Sequence, residues 1–99
     1  MVQEIKWTKQ AFKDLKNIHD FIAIDSSRYA QVQVEKIVNS IPKLANYPLI
    51  GRRIPEFPLL PYREIIVDNY RVIYQIEKQH HKIIIMTIVH GRRLLPFGK

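Results

Sequence analysis

The sequence predicts an α+β fold: an N-terminal helical hairpin packed on a small, mostly antiparallel sheet, in the order β-α-α-β-β-β. Three observations predict it. Apolar residues recur at helical spacing from Ala11 to Ala45 and in strand-like runs from Tyr62 to His90. A stretch at 51–61 with three prolines and one glycine separates the two regimes. Helices gathered early and strands late place the helices on one face of a sheet.

The elements follow in order. Val2, Ile5 and Trp7 alternate with polar residues and predict a short first strand. Thr8 is placed to cap a helix, because its hydroxyl can accept from a free first-turn N–H. Ala11, Leu15, Ile18 and Ile22 then mark an apolar stripe, widened by Phe12 and Phe21. Lys9, Lys13, Asp14, Lys16 and Asp20 fill the other face, and the helix ends near Ile24. Asp25-Ser26-Ser27 is a turn in which Ser26 or Ser27 caps a second helix. Its apolar face is Ala30, Val34, Ile37, Val38, Ile41, Leu44 and Ala45. Pro42 kinks it or ends its regular part, since proline lacks a donor and crowds the preceding turn. So short a link makes the pair a helical hairpin.

Residues 51–61 read as a loop with a short extended piece at Arg53–Phe57. Tyr62–Val67 and Tyr70–Ile76 are strands joined by Asp68-Asn69, two residues that tolerate positive φ. In that hairpin Val67 opposes Tyr70, Ile66 opposes Arg71 and Arg63 opposes Tyr74. Glu77–His81 is a looser turn. Lys82–His90 is the most apolar run and predicts a central strand covered on both faces. The tail 94–99 is short and is expected to hug the sheet.

Residues 1–99 are expected to form one domain. With 46 % hydrophobic and 25 % charged residues the balance is globular, not disordered. The absence of cysteine excludes a disulfide framework and thiolate chemistry, and fits a reducing compartment. No run approaches the roughly 18 apolar residues of a membrane span, and the first residues lack the apolar core of a signal peptide. The expected location is the cytoplasm, without membrane contact. The net charge is +7 and uneven: seven Lys/Arg against five Asp/Glu in residues 1–50, nine against four in 51–99. Such an excess favours an anionic partner (nucleic acid, ribosome or acidic protein), although solubility alone also accounts for it.

Several chemistries lack their residues. The four histidines have no zinc-ligand spacing and no cysteine to join them, so no metal and no cofactor is expected. The three glycines form no phosphate loop, and there is no serine nucleophile elbow. What remains is a basic set, Arg52, Arg53, Arg63, Arg71, Arg92 and Arg93, with His90 beside it. Glu64 is expected to pair with an arginine on the sheet. Arg71 lies inside an apolar strand and has two readings. It anchors the sheet through a carboxylate, or it is a cation held rigidly for a phosphate. His90 likewise is either a solvated strand-end residue or a general acid/base near neutral pH. Cleavage of RNA through its 2′-hydroxyl needs a base, positive charge on the phosphate oxygens and a proton for the leaving oxygen. His90, Arg71 and Arg92 supply much of that without a metal.

These residues resemble the RelE/ParE superfamily of type II toxin–antitoxin toxins. The resemblance is carried by Trp7-Thr8, Ala11, Asp14-Leu15 and Ile18, then Leu44, Pro48 and Gly51-Arg52. It continues through Tyr62-Arg63-Glu64 and Tyr70-Arg71-Val72-Ile73-Tyr74 to Val89-His90-Gly91-Arg92-Arg93. It implies a cognate acidic antitoxin as partner and a role in plasmid stabilisation, growth arrest or stress response. One branch of the superfamily cleaves mRNA in the ribosomal A site; the other inhibits DNA gyrase. The resemblance puts His90, Arg71 and Arg92 on catalytic positions of the ribonuclease branch, the last by allowing one extra residue in the Glu77–Lys82 turn. Arg52, Arg53, Arg63 and Arg93 would then meet nucleic acid or antitoxin. Against that branch, no tyrosine follows His90 to stack a base, Phe97 being the sole aromatic there, and Ile65 replaces a strand lysine. The long helical hairpin, the Tyr62-Arg63-Glu64 cluster and the His90–Arg93 cluster are common in the ParE-like branch, so the expectation is a toxin acting on gyrase. The alternatives are a ribosome-dependent mRNA endonuclease and a non-toxic nucleic-acid-binding module.

Overall fold

The computed structural model of the chain describes residues 3–92. Val2, Arg93 and the 94–99 tail, with Phe97, lie outside the described residues. Two helices pack on one face of a five-stranded mixed sheet. The elements are β1 (Glu4–Trp7), α1 (Lys9–Ala23), α2 (Ser27–Asn39), β2 (Arg52–Arg53), β3 (Tyr62–Val67), β4 (Tyr70–Glu77) and β5 (Lys82–His90). The strand order is β1-β5-β4-β3-β2, with only β1 and β5 parallel. β1 and β5 therefore lie side by side, and the helical hairpin carries the chain from β1 at one edge of the sheet to β2 at the other.

Local chemistry sets the element ends. Thr8 is extended and its Oγ1 accepts from the Ala11 N–H at 3.1 Å, satisfying one of the free donors of α1. Ser26 does the same for α2 through the Tyr29 N–H. The α-helical hydrogen-bond pattern stops at Asn39, and Pro42 opens a 3₁₀ turn at Pro42–Ala45, where its missing N–H costs nothing. The β3–β4 turn has Asp68 at φ 54°, while Asn69 keeps negative φ. Only one of the two residues thus uses the left-handed tolerance. The β3–β4 register is the predicted one, pairing Val67 with Tyr70, Ile66 with Arg71 and Arg63 with Tyr74.

Four expectations need correction. Phe12 and Phe21 do not widen the buried stripe of α1; they are 60 % and 73 % exposed. Asp14 is not on the solvent face but turns toward the sheet. The extended piece at 53–57 is a two-residue strand, Arg52–Arg53, so the sheet has five strands where four were read. The middle strand is β4, and β5 lies between it and β1. Burial along β5 alternates through Ile83–Met86 and becomes continuous only over Thr87–Val89.

The main core lies between sheet and helices and gathers Ala11, Ile37, Ile41, Leu44, Ile65, Val72, Tyr74, Ile83, Ile85 and Ile88. A smaller cluster on the opposite face joins Ile54, Ile73 and Val89, with Phe57, Tyr62 and Met86 against it. The loop after β2 thus covers part of the face that the helices leave bare.

Candidate functional site

The β3–β4 turn, the end of β5 and the loop after β2 enclose an open cleft of about 390 Å³. Arg52, Glu56, Arg71, His90 and Arg92 all border it. Of the sequence-predicted residues it brings together Arg52, Arg71, His90 and Arg92, while Arg53 and Arg63 do not line it.

Arg71 is its best-held member. Strand alternation puts it with Val89 and Ile73 on the face away from the helices. It is 4 % exposed. Its Nε donates to Glu64 Oε1 at 2.6 Å. Its Nη1 and Nη2 donate to the two oxygens of Glu56 at 2.7 and 2.8 Å, a bidentate fork. Glu64, 1 % exposed, accepts a further bond from Arg52 Nε at 2.8 Å through its other oxygen. Two arginines and two glutamates therefore form one chain of charge-assisted bonds, with no net charge. Hydrogen bonding from Arg71 holds the Glu56 carboxyl below its ordinary 4.5, at about 2, against the opposing pull of partial desolvation. The same bond to Glu56, then that to Glu64, raises the Arg71 pKa further despite burial.

His90 is placed differently. It pairs with Tyr70 across β4–β5, and its ring meets the Tyr70 ring edge-on at 5.6 Å. Tyr70 packs against the helix-side core, so alternation directs His90 and Arg71 to opposite faces of the sheet. The Arg92 N–H donates to His90 Nδ1 at 3.3 Å. That contact needs a bare Nδ1 and leaves the neutral ring's proton on Nε2. Among the described residues no ion pair holds the exposed Arg92 side chain. Gly91 fits close to the turn: its N–H donates to Asn69 O at 2.7 Å, and an added Cβ would sit 3.3 Å from that oxygen.

Arg53 and Arg63 bind backbone. Arg53 Nη1 donates to Leu60 O at 3.1 Å, and Arg63 Nη1 to Gly51 O at 2.8 Å. Gly51 has little room for any side chain: a Cβ there would lie 2.4 Å from Tyr74 Oη. That hydroxyl accepts from the Gly51 N–H and donates to Pro48 O at 2.7 Å. The Pro48, Gly51, Arg63 and Tyr74 positions thus form one fastening between the loop and the sheet.

The expectation that Glu64 pairs with a sheet arginine holds, and Glu64 in fact serves two. The second partner of Arg71, Glu56, was not foreseen. It lies in a non-periodic, proline-rich loop, and only its closeness to basic residues hinted at it. Among the described residues no group of three or more His, Cys, Asp or Glu side chains is gathered to hold a metal. No helix of these residues is long and apolar enough to cross a membrane.

A mixed sheet covered on one face by a helical hairpin matches the fold that the RelE/ParE resemblance implied. Solved structures agree. The chromosomal ParDE toxin–antitoxin system from P. aeruginosa superposes with a TM-score of 0.76 at 20 % identity, over 90 % of this chain and 96 % of that one. The RelBE2 toxin–antitoxin complex from Mycobacterium tuberculosis gives 0.63 at 21 % identity, over 91 % and 99 %. The intact E. coli RelBE toxin–antitoxin complex gives 0.65 at 13 % identity, over 92 % and 99 %. Identities this low speak for the fold alone. Comparison with curated proteins finds no significant match. The model of the ParE toxin of the type II toxin–antitoxin system parDE matches residues 5–95. The chain belongs to this ParE toxin family.

Proposed function

We propose that the chain is a ParE-like toxin that acts by binding DNA gyrase and is neutralised by a cognate acidic antitoxin. The observation that carries this reading is the state of Arg71. A ribonuclease needs that cation to face a scissile phosphate, whereas here Glu64 and Glu56 occupy all three of its nitrogens. Two further observations support it. One is Ile65, at the position of a ribonuclease lysine, which is 8 % exposed within the helix-side core. The family-model match points the same way.

An acidic antitoxin fits the net charge of +7. It also fits the exposed apolar residues Phe12, Phe21, Ile24 and Tyr29, which stand on the helical hairpin beside Lys9, Lys13 and Arg28. Arg52 and Arg53, both exposed, offer cationic rim contacts to the same kind of partner. The location would be the cytoplasm, where gyrase works, and the process served is growth arrest or plasmid stabilisation.

The test is supercoiling of relaxed plasmid by purified gyrase with increasing amounts of folded toxin. Inhibition supports the reading. Full supercoiling at a large molar excess overturns it, and mRNA cleavage in translating ribosomes would put the chain in the endonuclease branch.

A further inference from the structure

Besides the hairpin face, the chain exposes a second apolar surface. Tyr47, Leu49 and Ile50 lead into β2, Leu59 lies in the loop that leaves it, and all four are exposed. β2 is an edge strand of the sheet, so both loops stand at its outer border. Leu59 is 96 % exposed, more than any other large apolar side chain among the described residues. Neither loop is slack. The Ile50 N–H donates to Tyr47 O at 3.1 Å, and Gly51 beside it is held by Tyr74 Oη and Arg63 Nη1. In the other loop the Phe57 N–H donates to Ile54 O and the Leu60 N–H to Phe57 O, at 3.0 and 3.1 Å. Ile54 is fully buried, and Arg53 Nη1 holds Leu60 O. The exposed side chains thus stand on a fixed backbone, which loses little freedom when a partner binds.

Charge narrows the choice of partner. Residues 43–63 carry Lys43, Arg52, Arg53 and Arg63 against one acid, Glu56, and Arg71 holds that acid. The surface is therefore apolar with a cationic border, and it fits an acidic partner. A second copy of this chain, also at +7, would be repelled. Shape narrows it further. An extended peptide lies along grooves and leaves a protruding side chain uncovered, whereas a knob as exposed as Leu59 is enclosed by a concave site on a folded protein. We propose that the two loops flanking β2 are the surface that meets the target protein, with Leu59 seated in a concave apolar site rimmed by acidic side chains. On the gyrase reading, on which this rests, that protein is gyrase. The hairpin face is then left to the antitoxin, and the chain recognises its two partners through different surfaces.

The experiment measures binding of the full chain to immobilised purified gyrase and, in parallel, inhibition of supercoiling. Leu59→Ser, and Leu49→Ser combined with Ile50→Ser, remove apolar surface that the fold leaves in water. Arg53→Glu reverses a charge on the border. Circular dichroism and melting temperature first show that each variant is folded like the parent. Each apolar variant is expected to bind gyrase about tenfold more weakly, with the inhibition curve shifted by the same factor. Arg53→Glu is expected to weaken binding most at low ionic strength. Affinities equal to the parent's in the folded variants overturn the proposal and leave the gyrase reading standing. A parent that neither binds nor inhibits gyrase overturns both. A parent dimer that Leu59→Ser dissolves, seen by sedimentation, also overturns the proposal, because the knob then closes on a second copy.

Discussion

Arg71 carries a full charge at 4 % exposure, a position that water cannot serve. Removing it would leave Glu64 buried with only the exposed Arg52 as partner. Breaking one side of such a buried pair costs about 3–5 kcal/mol, whereas replacing both sides by apolar groups is close to neutral. Arg71→Ala should therefore lower the urea unfolding free energy by about that amount, and Arg71→Met combined with Glu64→Met should regain most of it. A loss below about 1 kcal/mol for the single change would mean the network is not structural. Glu56 gives a second, pH-dependent prediction. Its folded pKa of about 2 lies below its ordinary 4.5, so its bond to Arg71 stabilises the fold fully above that value and ceases to as pH falls through about 2. The difference in melting temperature between the parent and Glu56→Gln should shrink across that window. A constant difference from pH 6 to pH 2 would contradict the assignment. Part of this was legible from spacing. The sequence placed Arg71 opposite Ile66 and paired Glu64 with an arginine of the sheet, but Glu56 comes from an aperiodic loop whose path only tertiary packing sets.

At the scale of elements, α1 is registered on β5 at an irregularity. The β4–β5 pairing shifts between Ile73 and Tyr74, leaving Met86 as the extra residue of a bulge. Asp14 of α1 and the helix's N-cap residue Thr8 satisfy the backbone groups there. The Thr8 hydroxyl lies 3.0 Å from Ile85 O and 2.8 Å from Met86 O, and its backbone N–H donates to Ile85 O. Asp14 Oδ2 accepts from the Ile88 N–H at 3.0 Å and from the Thr87 hydroxyl. A carboxylate taking a buried backbone donor is worth about 1.5–3 kcal/mol, so Asp14→Ala should destabilise by roughly that and speed hydrogen exchange at Ile88 before its neighbours. An unchanged Ile88 exchange rate would show that the bulge does not depend on Asp14. Both helices, their caps and the β3–β4 register were readable, because 3.6-residue and two-residue periods are local signals. The exposure of Phe12 and Phe21 was not. Periodicity counts apolar residues, but how far the sheet extends beneath a helix decides which of them find cover. Asp14 likewise looked like a surface charge, because nothing in its own helix announces the bulge it meets.

At the scale of the whole molecule, the arginine-rich signature divides between fold and surface. Arg63 fastens Gly51, Arg71 ties β3 and β4 to the loop after β2, and Arg52 bridges to buried Glu64. These contacts explain why the same clusters indicate the family well and the chemistry poorly: they are needed wherever this loop folds against this sheet. What is left for a partner is the exposed rim, Arg92 and the apolar hairpin face. On the proposed reading the toxin works by binding, and its action should not depend on the acid/base group at the end of β5. The most direct measurement is gyrase supercoiling in the presence of the folded His90→Ala chain beside the parent. The account predicts that both inhibit to the same extent at the same concentration. Inhibition by neither, with RNA cleavage by the parent that His90→Ala abolishes, would contradict it.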